Sequence, residues 1–395
     1  MRHAYEIFGK LDTPGGSEEA WKYVESDLSF DFDLVDTPGD PLPEGRFLRA
    51  LTADAGRATL VDGHTVFASG SRLTALSELD DSRQVEIHSL LPPDHDRFAA
   101  ARTAFSTDGI EVEIPAGTVE EAPVVIDVQA VTPGASFPAI SVRVGENAEG
   151  SVVVVYRSPA ELDALTSPQV GLHVAQGGRL RYLAIQNFGF ATTAVIHQRA
   201  QVGRDASLRV GEVGLGGRLG RLDLGVLLEG DGGSVEVVGL SFGEHDQILD
   251  YRMTITHRGR STSSDVYLKG AVEDRARSIF TGLLKIEKQA ARSSAFETNR
   301  NLVLSEHAKA HSVPNLEILC DDVVCGHGSS VGPLDEDQIY YLLSRGLSRA
   351  RAERLLVKGF FSEVVDRLPV QGPAQQVLDE VFGRFVEAQA EGRLG

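Results

Sequence analysis

The chain has 395 residues, of which 42% are hydrophobic and 24% are charged, a composition typical of a globular protein with a large buried core. Its formal net charge of −19 argues against binding to nucleic acids and to anionic membranes, because both require an excess of Lys and Arg. Two cysteines are too few for a disulfide framework, and we find no apolar signal core and no membrane-spanning run, so we predict a cytoplasmic protein.

The first 105 residues are predicted to form a mixed, partly helical region. Residues 17–24 are typical of a short helix with Ser17 as its N-cap. The loop 38–45, rich in Pro and Gly, breaks any regular element and marks a linker. A further helix is predicted over residues 97–105.

Residues 106–330 are predicted to form the core, because the chain repeats itself there. Turns of small residues at 151, 179, 207 and 234 each precede an alternating strand, at intervals of 28, 28 and 27 residues. A second strand falls between successive turns, and later strands follow every 15 to 18 residues. Regular strands at a fixed interval indicate a β-helix, in which each coil buries one strand face against its neighbours. The main alternative is a β-sandwich, which does not require that interval.

Residues 331–395 are predicted to be helical, because the apolar period changes to 3.6 after Pro333. Asp335 is expected to cap the first of three helices and Ser348 the second, and Pro373 is expected to open the third. The predicted apolar positions are Ile339, Leu342 and Leu343, then Ala352, Leu355, Leu356 and Phe360, then Val377, Leu378, Val381, Phe385 and Val386. This unit serves either as a cap of the core or as a partner-binding region.

Several common enzyme motifs do not occur in the sequence. It has no G-x-x-x-x-G-K-[ST] phosphate loop, so we predict that this chain does not hydrolyse nucleotides itself, and it has no G-x-S-x-G elbow and no H-E-x-x-H zinc motif. The stretch 214–220 looks like a dinucleotide loop, but its last glycine is one position late and strand residues follow. His173, His197 and His257 lie in predicted strands and are expected to be structural.

Both cysteines fall in residues 316–328, together with His327. In an extended strand Cys325 and His327 share a face, whereas Cys320 points to the other side. A thiolate beside an imidazole suits Fe, Cu or Zn. Two ligands cannot complete a site that takes about four, so metal chemistry here would need a second chain. The alternative is a buried cysteine that packs as a small hydrophobe beside a histidine bonded to a turn carbonyl.

Three segments in the second half of the chain carry a resemblance to a known family: Asn301-Leu302-Val303-Leu304-Ser305, Asp321-Asp322-Val323-Val324-Cys325-Gly326-His327-Gly328 and Tyr340-Tyr341-Leu342-Leu343-Ser344-Arg345-Gly346. They look like the SufD family, the non-ATPase subunits of an iron–sulfur cluster assembly complex, and the resemblance covers most of the chain, most specifically residues 240–365. It implies that this chain itself has no enzymatic activity. His327-Gly328-Ser329 stands where the sister SufB family usually has His-Glu-Ala, which favours SufD. The chain departs from the family pattern at Ser329-Ser330, where Ala-Thr is usual, and at Cys320, where a thiol is uncommon and to which we assign no role.

The resemblance implies a mainly β protein, with a right-handed parallel β-helix core between an N-terminal mixed region and a C-terminal helical region. It also implies a heterodimer with a SufB-like subunit and docking of a SufC-like ATPase through the C-terminal helices, and it leaves a homodimer of the isolated chain open. A transient iron–sulfur cluster is expected at the SufB-like interface, and no cofactor is expected to stay on this chain alone. We expect His327 to supply a neutral imidazole ligand there, with Cys325 as a second ligand or an orienting thiol.

Three other interpretations stay open at this point. The chain could be a SufB-like scaffold, or a structural adaptor in which Cys325 and His327 are inert. It could also be a carbohydrate-acting β-helix enzyme, although such enzymes are usually secreted and no signal sequence is recognisable here.

Overall fold

The computed structural model describes residues 2–12, 14, 18–24, 32–51, 53–89, 91–106 and 108–393. In them the chain forms a parallel β-solenoid of about eight turns with helices at both ends, which confirms the predicted fold class. Ser17, the predicted N-cap, lies outside the described residues, and a single 3-10 turn over Glu19–Trp21 stands where a short helix was predicted. None of the helices in this description is both long enough and apolar enough to cross a membrane.

Strands make up the middle of the chain and helices its two flanks. The strands are β1 Gly56–Val61, β2 His64–Ser69, β3 Leu73–Ala75, β4 Gly109–Ile114, β5 Val124–Gln129, β6 Gly134–Ser136, β7 Ala139–Val144, β8 Glu149–Arg157, β9 Ala164–Thr166, β10 Gln169–Val174, β11 Arg179–Asn187, β12 Thr193–Val202, β13 Ser207–Gly214, β14 Leu219–Leu228, β15 Ser234–Gly243, β16 Ile248–His257, β17 Ser263–Val272, β18 Arg277–Ile286, β19 Ser293–Val303, β20 Lys309–Ile318 and β21 Val323–Gly332. The α-helices are α1 Arg2–Phe8, α2 Arg46–Arg49, α3 Asp81–Ser89, α4 Arg97–Phe105, α5 Glu336–Ser344, α6 Arg349–Arg367 and α7 Ala374–Ala390.

Two long sheets face each other across the interior of the solenoid. Sheet I runs in the order β2-β1-β5-β8-β11-β13-β15-β17-β19-β21, and sheet II runs β20-β18-β16-β14-β12-β10-β7-β4-β3. The β1–β2 and β3–β4 pairs are antiparallel, and the other pairs along both paths are parallel. Residues one coil apart stand side by side, as in the column Leu180, Leu208 and Val235, so the predicted intervals of 28 and 27 residues after position 179 are the register of sheet I.

Side chains alternate between the interior and the outer faces of the two sheets. The interior is filled mainly by Val, Leu and Ile, whose branched side chains suit a pleated surface. The outer face of sheet II is covered by the N-terminal region, whose Trp21 and Phe98 pack in one cluster with Phe137 and Val195 of the solenoid. The outer face of sheet I is covered by α6 and α7, through Phe361 and Phe385 among others. The flanking regions therefore protect the two broad sides of the solenoid.

The tight turns stack on one another along the solenoid. Asn147 and Gly177 occupy equivalent turns of successive coils, both with positive φ (53° and 66°). A Cβ atom at Gly177 would collide with the Asn147 side chain, so the small residue is required by the stacking as well as by the backbone conformation. Such positions explain why the repeat was visible in the sequence as turns of small residues.

The C-terminal helices begin where predicted, but one buried face differs. The Asp335 carboxylate accepts from the backbone N–H groups of Asp337 (2.9 Å) and Gln338 (3.2 Å), as expected of an N-cap. Ser348 precedes α6 without a side-chain capping bond. The buried face of α6 is centred on Val357 and Phe361 and not on Leu355, which is 52% exposed.

A buried ion pair anchors the N-terminal region to sheet II. Arg221 on β14 pairs with Asp250 on β16, and their side chains are 4% and 1% exposed. The guanidinium also donates to the Ala20 carbonyl at 3.0 Å and lies 4.0 Å from the centroid of the Trp21 ring. Trp21 is the single tryptophan of the chain, so its fluorescence reports this contact.

Stability is expected to fall with rising pH because of a carboxyl group inside the solenoid. Burial raises the pKa of Glu212 on β13 from the ordinary 4.5 to about 8. The unfolded chain releases this proton near the ordinary value, so the stabilising contribution is present below about pH 4.5 and is lost as the pH approaches 8. One such group changes the free energy of unfolding by at most about 1.4 kcal/mol per pH unit.

Glu212→Gln is therefore expected to be more stable than the wild type at pH 8 and to show a flatter pH profile. Chemical denaturation at pH 5, 6, 7 and 8 measures the free energy of unfolding of both proteins. The contributions of the other carboxyl groups are the same in both and cancel in the difference. Parallel profiles for variant and wild type would contradict the assignment.

Candidate functional site

The C-terminal end of the solenoid is open. β20 and β21 are the last strands of their sheets, and within the described residues neither has a neighbour on its outer edge. The two long C-terminal helices, α6 and α7, pack against the outer face of sheet I and not across this end. Unpaired strand edges are templates for pairing with another chain.

Large apolar side chains are exposed around this open end. Val324 on β21 is 63% exposed, although valine is a residue type usually buried. The others are Phe296 at 44%, Leu316 at 38%, Leu319 at 46% and Val331 at 44%. A cluster of this kind beside free strand edges is typical of a protein–protein interface.

Cys325 and His327 both lie on β21, the edge strand of sheet I. In the parallel register they stand beside Ala295 and Glu297 of β19, whose side chains point into the interior. The predicted shared face of the two residues is thus confirmed. Cys325 is half-buried against the interior core, whereas His327 is exposed at its mouth. Their role as ligands stays a prediction.

The expectation that Cys320 faces the other side is wrong. Cys320 and Cys325 both pack against the same interior core. The alternation rule does not apply to Cys320, because β20 ends at Ile318 and Cys320 lies in the turn before β21.

A buried carboxyl group beneath His327 was missed at the level of sequence. Glu297 is 2% exposed, and burial raises its pKa to about 7. Its neighbourhood is polar: Asn299 donates to the Ser312 hydroxyl at 2.8 Å, and Asn315 donates to the Gly282 carbonyl at 3.1 Å. The available signal was an acidic residue at an inward position of a strand, in line with Ala295.

The structure also brings together His95, His197 and Asp223 on the outer face of sheet II. Among the described residues, these three are the group of His, Cys, Asp or Glu side chains that could hold a metal ion, because their ligand atoms lie within 4.8 Å of one another. Arg199 already supplies a positive charge there, since it donates to an Asp223 carboxylate oxygen at 3.0 Å and lies 3.3 Å from His95 Nε2. His197 Nε2 lies 3.0 Å from Asp96, the N-cap of α4. We interpret the group as an ion-pair network that holds α4 against the sheet.

The buried histidine His257 has a structural role, and the glycine-rich stretch 214–220 links two strands. His257 is buried, and its two ring nitrogens lie 2.8 Å from the hydroxyl groups of Thr262 and Ser264. Burial lowers its pKa to about 4, so it is neutral at physiological pH. The stretch 214–220 joins β13 to β14 directly, without a helix, so the dinucleotide interpretation has no support.

Comparison with known proteins relates the chain to iron–sulfur cluster assembly. Residues 126–360 match the family model described as "SUF system FeS cluster assembly, SufBD core domain". An iron–sulfur cluster assembly SufBD family protein of Mycobacterium tuberculosis is 33% identical over 379 residues, covering 92% of this chain and 89% of the relative. The iron–sulfur cluster assembly protein SufD of Bacillus subtilis is 29% identical over 73% of this chain and 67% of its own length. SufD of Escherichia coli is 25% identical over 98% of this chain and 92% of its own length.

Proposed function

The chain belongs to the SufBD family of the SUF iron–sulfur cluster assembly system, and we propose that it is a SufD-like, non-ATPase subunit of an assembly complex. The similarity to two proteins named SufD supports this assignment within the family. Membership in the family supports a role in cluster assembly over the interpretation as a carbohydrate-acting enzyme. The observation that carries the proposal is the open end of the solenoid, where Cys325 and His327 stand on a free strand edge.

A SufB-like subunit is the partner proposed for the open end. Two unpaired edges, on β20 and β21, offer backbone hydrogen bonds to strands of a second solenoid. The exposed apolar residues around them would be buried by such a partner. Cys325 and His327 would then lie in the interface, where the partner supplies the remaining ligands of a nascent cluster. The cluster is cargo in this scheme, passed on after assembly.

The C-terminal helices are proposed to bind a SufC-like ATPase. Tyr340 and Tyr341 on α5 are 74% and 56% exposed, and Leu355 on α6 is 52% exposed. A groove of about 520 Å³ lies beside them, lined by Leu304, Leu334 and Ile339 among others. Hydrolysis of ATP would take place on that partner, because this sequence has no phosphate loop. Movement of the ATPase would then open the proposed interface between this chain and the SufB-like subunit.

Val324→Asp is expected to prevent pairing with the SufB-like subunit. A carboxylate at an interface that excludes water costs several kcal/mol unless it is paired, so the affinity should fall at least about a hundredfold. Co-expression of the three subunits followed by size-exclusion chromatography with light scattering measures the composition. The ATPase should stay bound to the variant, because its proposed site is on α5 and α6.

Val119→Asp is the matched control, since Val119 is 65% exposed but lies in the turn before β5, far from the open end in sheet order. This variant should assemble like the wild type. If the Val324→Asp variant formed the complete three-component complex, the proposed interface would be wrong.

A structural adaptor remains the second candidate function because of one observation. The Cys325 side chain packs against the interior core, an arrangement also expected of an inert cysteine. The two candidate functions differ in whether cluster formation depends on His327, and the cluster yield of a His327→Ala complex distinguishes them.

A further inference from the structure

Glu297 occupies an interior position directly beside His327. The parallel register of β19 and β21 pairs Ala295 with Cys325 and Glu297 with His327. Paired residues on neighbouring strands lie about 4.8 Å apart and point to the same side of the sheet. The thiol, the imidazole and the carboxyl group therefore belong to neighbouring positions on the inner side of sheet I, although their ligand atoms do not all lie within 4.8 Å of one another in the structure.

The Glu297 carboxyl group has no partner of its own. It is 2% exposed, and neither of its oxygen atoms accepts a hydrogen bond from any residue that the structure describes. One oxygen lies against Gly282 on β18, where a Cβ atom would collide with it. The next inward residue, Asn299, is by contrast bonded to Ser312.

An unpaired carboxylate inside a protein is costly, and such a group calls for an explanation in function. A divalent cation offsets the cost of burying its negative charge. The neighbouring groups are suitable co-ligands, because thiolate, imidazole and carboxylate together match the donor preferences of Fe²⁺.

We propose that Glu297 donates a carboxylate oxygen to Fe²⁺ held by Cys325 and His327, so that this chain supplies three ligands and leaves the fourth position to its partner. The proposal rests on the proposed function and names a further residue of the same site. In the structure the carboxyl group lies against Gly282, so coordination requires rotation of the Glu297 side chain toward β21. Metal binding displaces the protons of the thiol and the carboxyl group into solvent.

The test is a Co²⁺ titration of the isolated full-length chain, with Co²⁺ as a substitute for Fe²⁺. A Cys320→Ser background ensures that the thiolate-to-cobalt absorption band reports Cys325, because both cysteines touch the same core. Glu297→Gln is expected to weaken Co²⁺ binding at least about tenfold while the band persists at saturation. Glu297→Gln removes an unpaired buried charge, so its thermal unfolding should be no lower than that of the wild type.

Glu212→Gln is the matched control, because Glu212 is another interior carboxyl group, three strands of sheet I away from β19. This variant should bind Co²⁺ like the background protein. Equal affinities of Glu297→Gln and the background protein, or a background protein that shows no thiolate band, would overturn the three-ligand site. The proposed function is tested separately by assembly and cluster yield of the complex, so the two can fail independently.

Discussion

Replacement of His327 by Ala is expected to lower the yield of iron–sulfur cluster on the assembled complex at least about tenfold. Loss of groups that merely orient a metal ligand already costs about 10–100-fold in metal affinity, so loss of a ligand should cost no less. His327 is exposed on an edge strand, and its truncation leaves no cavity in the core. The complex should therefore assemble normally and remain nearly colourless after reconstitution, as measured by visible absorption.

His307→Ala serves as the control for this experiment. His307 is an exposed histidine in the turn between β19 and β20, and it is not on a strand edge. Its replacement should leave the cluster yield unchanged. Equal yields of His327→Ala and the wild type would remove His327 from the chemistry and favour the structural adaptor.

Asp250→Ala is expected to lower the free energy of unfolding by about 3–5 kcal/mol, because it leaves the buried Arg221 without its counter-ion. The loss should begin with the N-terminal region, whose Trp21 ring rests on the Arg221 guanidinium. Trp21 fluorescence should therefore change at a lower denaturant concentration than the far-ultraviolet circular dichroism of the solenoid. In the wild type the two transitions should lie closer together.

Asp246→Ala provides a matched control, because Asp246 and Arg275 are also 29 residues apart and paired across one coil. Their side chains are 67% and 69% exposed, so removal of this pair should cost less than about 1 kcal/mol. A double replacement, Arg221→Met with Asp250→Leu, should recover most of the stability lost by Asp250→Ala. Equal losses for Asp250→Ala and Asp246→Ala would show that the buried pair is not an anchor.

The core of the fold could be predicted because turns of small residues recur in the sequence at nearly the interval of one coil. The predicted positions 179, 207 and 234 are spaced by the number of residues in one coil, and they lie side by side at the start of β11, β13 and β15. The first predicted step, from 151 to 179, is two residues short, because Arg179 pairs with Glu149 and not with Ser151. The first coil could not be recognised in this way. β1 pairs with β5 across an intervening stretch that contains α3 and α4, so no constant interval marks it.

The helices of the C-terminal region were predictable, but not which of their faces is buried. A period of 3.6 shows that a helix has an apolar side, and the choice between Leu355 and Val357 depends on the surface against which it packs. That surface is the outer face of sheet I, contributed by residues such as Val238 and Leu240. The periodicity of the helix alone therefore could not predict that Leu355 is exposed.

The candidate site shows the same division between local and distant information. The common face of Cys325 and His327 follows from strand alternation, a local property, whereas the place of Cys320 depended on where β20 ends. His95 and Asp223 meet although they are 128 residues apart, and spacing along the chain gives no hint of such contacts. Glu297 could be related to His327 once the pairing of β19 with β21 was known.

The two ends of the solenoid are built differently, and this limits what the molecule can assemble into. At one end the reversed strands β2 and β3 terminate the sheets, whereas at the other β20 and β21 keep the direction of the coils beneath them. If the solenoid binds a partner only through its C-terminal end, as proposed, it forms pairs, because each association buries the one interface of both members. On this proposal, growth into filaments would depend on the other end of the solenoid, where the edge strand β2 exposes Val66 and Phe67.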